Sequence, residues 1–107
     1  MGKDCVFCKI INKEIPTEIE KETDNLIVFQ DIHPKAAIHL LIVSKEHIVD
    51  IRDVSDDLWV SIKEVSKAIA GERDIKSFRV VANAGDAALI KHFHVHFLAR
   101  IDQNREI

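Results

Sequence analysis

Large apolar residues alternate strictly with histidine over His92-Phe93-His94-Val95-His96-Phe97-Leu98, the period-two signature of a strand with one buried face. Phe93, Val95 and Phe97 then enter a core, and the three imidazoles line the opposite face. His39-Leu40-Leu41-Ile42-Val43 is almost continuously apolar, which predicts a central strand. From Ser55 the period changes to that of a helix. Ser55 can cap it, Asp56 and Asp57 suit its positive end, and Leu58, Ile62, Val65 and Ile69 share one face that Trp59 and Ala68 flank. Gly71 stands where that helix should close. Shorter runs predict strands over 18–21, 26–31 and 78–82, with Glu22-Thr23-Asp24-Asn25 as the turn between the first two. Ile10, Ile11 and Ile15 predict a short helix ended before Pro16. Asp31-Ile32-His33-Pro34 should be a defined loop, and Ser44-Lys45-Glu46-His47 leaves the central strand with a turn of helix. His47 reads as a structural residue.

Composition narrows the function classes. A chain of 107 residues is expected to form one domain over 1–107. Its formal charge of −3 argues against a nucleic-acid surface, although one small anion remains compatible. No apolar run approaches the roughly 20 residues of a membrane span. Met1-Gly2-Lys3-Asp4-Cys5 has no secretory apolar region behind it, and Val6 stands where myristoylation wants Ser or Thr. A cytoplasmic location follows, with reduced cysteines. A chain this small gains from pairing with a copy of itself, so a homodimer is expected.

The candidate chemistry lies at three places. Alternate imidazoles on a strand stand about 6.6 Å apart and the outer pair about 13 Å, which suits an extended anion better than one metal ion. Cys5-Val6-Phe7-Cys8 has the spacing of two zinc ligands, of a redox dithiol or of two small buried side chains. Asp31, at a strand end and followed by an apolar residue, could hold ribose hydroxyls or simply cap a turn. Asn83-Ala84-Gly85-Asp86 permits left-handed backbone and close approach to a ligand.

With these residues in view, the chain resembles the histidine triad (HIT) family. His92-x-His94-x-His96-Phe97-Leu98 matches the family's repeat of histidine and apolar residue. Cys5-x-x-Cys8-Lys9-Ile10-Ile11, Ile15-Pro16, Phe29-x-Asp31-Ile32-x-Pro34, His39 and Lys45-x-His47-Ile48 look like the Hint-type branch. The likeness implies an α+β fold with about five antiparallel strands, one long helix and a short N-terminal helix, paired across a two-fold. It implies hydrolysis or transfer at the α-phosphate of a purine nucleotide or nucleoside phosphoramidate. By matching positions, His94 is the nucleophile, His96 contacts phosphate, and Phe7, Ile10, Phe29 and Ile32 form the purine pocket. Asp31 matches the ribose carboxylate and Asn83 a polar contact beside phosphate. The zinc ligands match Cys5, Cys8, His39 and His92, a structural site with no open position.

One segment departs from that pattern. Before the triad the family usually has a longer loop with a glutamine and often a serine that touch the phosphate and leaving group. Here Ala87-Ala88-Leu89-Ile90-Lys91 is shorter, with Ala88 and Leu89 at those places. The competing function is therefore a zinc-stabilised dimer that binds nucleotides or a protein partner with little turnover.

Overall fold

The computed structural model describes residues 5–100. Five strands form one antiparallel sheet in the order β1-β2-β3-β5-β4: β1 (Lys21–Glu22), β2 (Leu26–Gln30), β3 (Ile38–Ser44), β4 (Phe78–Val81) and β5 (His94–Ala99). Two helices complete it, α1 (Val6–Ile11) and α2 (Asp56–Glu72).

The α2 stripe Leu58, Ile62, Val65 and Ile69 packs on Leu26, Val28, Leu40, Ile42, Phe93, Val95 and Phe97. On the other face Phe7 of α1 covers Ile27, Phe29, Leu41 and Val43. Because both faces of β2 and β3 are covered there, their sequences are apolar without alternation. Strand β5 alternates because its second face carries the histidines.

Several boundaries differ from those read in the sequence. The first strand is Lys21–Glu22, nearer the turn, because Thr23 closes a tight bend. Its N–H donates to the Leu26 carbonyl at 2.9 Å, and its hydroxyl accepts from the Leu26 N–H at 3.1 Å. Helix α1 stops at Ile11, well before Pro16, where Lys13 turns left-handed at φ 64°. Helix α2 runs past Gly71 to Glu72, and the reversal falls on Asp74 at φ 53°. The Ile75 N–H then donates to the Ala70 carbonyl at 2.8 Å and delivers Ile75 into the core. Residues 44–47 form no helix, and His92 precedes β5 instead of opening it.

Candidate active site and metal centre

The antiparallel register of β3 and β5 divides the histidines between two places. Val43 pairs with His94, Leu41 with His96, and His39 with Leu98. His39 is thus six positions along β5 from His92, about 20 Å at strand rise. The sequence reading puts His39 with the cysteines; the structure corrects this, because one ion cannot span that distance. His47 takes the fourth place. It follows the end of β3 at which β5 begins, so the chain returns it to His92.

At that end the Nδ1 of His92 lies 3.2 Å from Cys5 Sγ, 3.5 Å from Cys8 Sγ and 3.1 Å from His47 Nδ1. Cys8 Sγ is 3.1 Å from His47 Nδ1. A tetrahedral zinc ion separates sulfur and nitrogen ligands by about 3.3–3.8 Å, so the four atoms are gathered at nearly the spacing a metal demands. The Nε2–H of His92 donates to the Ser44 carbonyl at 2.7 Å, which leaves Nδ1 as the lone pair facing the thiols. Burial, with the neighbouring Cys5 adding to it, pushes the Cys8 thiol up to about 11. A cation would reverse that preference by taking the thiolate. The donor set, two thiols and two imidazoles, fits zinc.

The second cluster begins at the loop after β2. The backbone N–H of Lys35 donates to His39 Nδ1 at 2.9 Å, so the His39 proton sits on Nε2. That nitrogen is 2.9 Å from His96 Nδ1 and 3.3 Å from an oxygen of Asp31. Donation to His96 Nδ1 fixes the His96 proton on Nε2, the nitrogen facing away from the relay. The other Asp31 oxygen accepts the His33 N–H at 2.8 Å. Burial lowers the proton affinity of His39 and His92 and takes His96 down to about 4, so His96 is a neutral donor at pH 7.

Between the clusters stands His94. Its Nδ1–H donates to the His92 carbonyl at 2.8 Å, and a carbonyl can only accept, so Nε2 carries the lone pair. Phe7 meets this ring edge-on at 5.1 Å and Phe29 at 5.7 Å. Ile10 packs beside them. Ile32 is 86% exposed on the loop after β2 and closes nothing by itself. Asn83 follows β4 by two residues, and Val81 pairs with His96, which sets Asn83 towards the His94 end of β5.

The loop into the triad is anchored from outside the sheet. Gly85 takes φ +60°, which a side chain would strain, and its N–H donates to Asp50 at 3.1 Å. Arg52 holds the same carboxylate at 2.5 Å and keeps it ionised far below the usual range. Ile90, further along the loop, packs into the Phe7 cluster.

This arrangement has counterparts. A family model described as scavenger mRNA decapping enzyme C-term binding matches residues 4–106. An uncharacterized HIT-like protein of Methanocaldococcus jannaschii is 33% identical over 96% of this chain and 84% of its own. The chain belongs to the histidine triad family. Adenosine 5'-monophosphoramidase HNT1 of Saccharomyces cerevisiae is 33% identical over 92% of this HIT chain and 64% of its own. A HIT family hydrolase from Clostridium thermocellum superposes with TM-score 0.89 at 33% identity, covering 98% of this chain and 97% of that one. A Zn-bound histidine triad family protein from Mycobacterium smegmatis gives TM-score 0.84 at 26% identity over 98% and 81%.

Of the residues singled out from sequence, Cys5, Cys8 and His92 come together, as do Asp31 and His96, with His94 and Phe7 between them. His47 was missed. The signal was present: an antiparallel partner for the histidine strand returns the residue after β3, not the one before it, to His92.

Proposed function

We propose that this HIT protein is a hydrolase that cleaves at the α-phosphate of a purine nucleotide through a covalent nucleotidyl-His94. The observation that carries it is the His94 ring, held by the His92 carbonyl with its Nε2 lone pair free. Attack by Nε2 forms the N–P bond as the leaving group departs with its electron pair. Water then displaces the imidazole from phosphorus, and a nucleoside monophosphate leaves. His96, its proton fixed on Nε2 by His39, donates to a phosphoryl oxygen as charge builds there. Asp31 holds the ribose hydroxyls, and Phe7, Ile10, Phe29 and Ile32 surround the base, with Asn83 beside the phosphate. Both the Clostridium hydrolase and the yeast adenosine monophosphoramidase support this class of reaction.

Cys5, Cys8, His47 and His92 would hold zinc. Four protein ligands fill a tetrahedral site, so the ion would staple α1 to the start of β5 and supply no activated water. A homodimer belongs to the same reading. Phe78 and Val80 on β4 and Trp59 and Val60 on α2 are exposed, and among the described residues β4 bonds only to β5.

Incubation with adenosine 5'-monophosphate derivatives tests the chemistry. The wild-type chain should release AMP and, quenched early, carry an adenylyl mass on His94. The variant His94→Ala should show neither. AMP binding without turnover or adduct would instead establish a nucleotide-binding module.

A further inference from the structure

A cleft of about 310 Å³ opens at the C-terminal end of α1, away from the histidines. Ile27 of β2 lies in it, on the sheet face that Phe7 covers further along. Ile10 and Ile11 line it from the helix, and Ile15 and Ile19 from the loop between α1 and β1. Hydrogen bonds hold that loop at both ends. The N–H groups of Glu14 and Ile15 donate to the Lys9 carbonyl at 2.8 and 3.3 Å, and the Glu20 N–H donates to the Val28 carbonyl at 2.8 Å. Glu20 also pairs at 2.6 Å with Arg73, the residue that closes α2. Of the positions matched to the purine pocket only Ile10 lines this cleft; Phe7, Phe29 and Ile32 do not.

Charge gathers beside this apolar lining. Lys45 Nζ stands 2.7 Å from a Glu22 oxygen, and that bond, with a further attraction from Lys13, holds Glu22 below the usual carboxylate range. Lys13, Lys45 and Glu22 all line the cleft, so two ammonium groups answer one carboxylate and one positive charge is spare. This happens in a chain whose formal charge is −3. A neutral apolar ligand would leave that charge unused, and a dianion would exceed it while keeping the isoleucines wet. An amino acid would bring its own ammonium against two others. An aliphatic monoanion satisfies both parts, because its chain leaves water and its head forms a charge-assisted hydrogen bond. At about 30 Å³ for each water-sized unit, the volume holds roughly ten non-hydrogen atoms.

From this junction of an isoleucine-lined cleft with a spare ammonium, we propose that the cleft is a second ligand site, for a free medium-chain aliphatic monocarboxylate. The chain lies over Ile27 among Ile10, Ile11, Ile15 and Ile19, and the carboxylate meets Lys13 and Lys45. The site is separate from His94 and stands whether or not His94 is a nucleophile. Binding is non-covalent. Because Ile10 and Phe7 share a six-residue helix, an occupied cleft braces the same element that meets the His94 ring edge-on. A ligand that binds only the folded chain also raises its melting temperature.

The test titrates the full chain, its isoleucine methyl groups labelled for NMR, with octanoate, octanamide and butyrate. Octanoate should move the Ile11, Ile15, Ile19 and Ile27 signals saturably and raise Tm. Octanamide and butyrate should each bind at least about tenfold more weakly, one lacking the charge and the other the chain. Equal affinity for acid and amide, shifts centred on Ile32 instead, or no saturable shift below about 10 mM overturns the site. The variants Lys45→Met and Lys13→Met should each weaken octanoate about five- to tenfold and leave octanamide unchanged. Losses that are the same for both ligands, or absent in both variants, overturn the role of the charge and the proposal with it. Ile19→Asp, its helix content checked by circular dichroism, should abolish octanoate binding, and unchanged binding there refutes the location. Shifts of Ile15 and Ile19 that grow with protein concentration alone would make the cleft a contact between copies of this chain and likewise overturn it.

Discussion

Three imidazoles in this chain bind protons less readily folded than free. Burial is the first cause for His39, His92 and His96, and for His96 the nearby His94 and His39 add to it. An unfolded chain recovers the ordinary affinity near 6.5, so below that pH it takes up more protons than the native chain. Stability from these groups is therefore complete above pH 6.5 and drains away as the pH falls towards about 4. Thermal melts at fixed ionic strength should show Tm flat between pH 7 and 8 and falling steadily from 6.5 to 4.5. The variant His39→Phe should flatten part of that slope; a slope unchanged in the variant would assign the loss to other groups.

Among the elements, α1 is the most dependent on its surroundings. Six residues are too few for a self-sustaining helix, and this one is held by the buried Phe7, by Cys5 capping the Cys8 N–H at 3.4 Å, and by the thiol cluster. Phe7→Ala should cost about 3–5 kcal/mol, measured by denaturant unfolding. Cys8→Ser should lower Tm and abolish any further drop on adding a chelator, while leaving α2 helical by circular dichroism. In contrast α2 stands on its own capping and stripe, and Ser55→Ala should cost only about 1 kcal/mol.

The same contrast explains what could be read in the sequence. The α2 stripe, the alternation of β5 and the unbroken apolar run of β3 each announce a period, and all three elements form, although β5 opens at His94 and α2 runs on to Glu72. Ends governed by left-handed residues, Lys13 and Asp74, were invisible, since any residue type can be forced there by packing. The triad and the cysteine pair are local in sequence and were legible. The partition of His39 and His47 between two clusters depends on strand register, a property of two distant segments together.

At the scale of the whole molecule, β4 bonds only to β5 among the described residues, with Phe78 stacked on Phe97 at 4.7 Å and with Phe78, Val80 and Trp59 exposed. An open apolar edge invites another strand, and a second copy of β4 is the self-complementary choice. Light scattering should give a dimer for the wild type and a monomer for Val80→Glu, with the isolated monomer still folded. A monomeric wild type at micromolar concentration would refute the pairing.

His92 serves two masters through different atoms: its ring faces the thiols and Ser44, while its carbonyl grips the ring of His94. Oxidative damage to Cys5 or Cys8 would consequently be felt two residues away, as an imidazole free to swivel and to exchange tautomers. Such a molecule would keep its sheet and its long helix yet lose the fixed His94 ring on which the proposed attack depends.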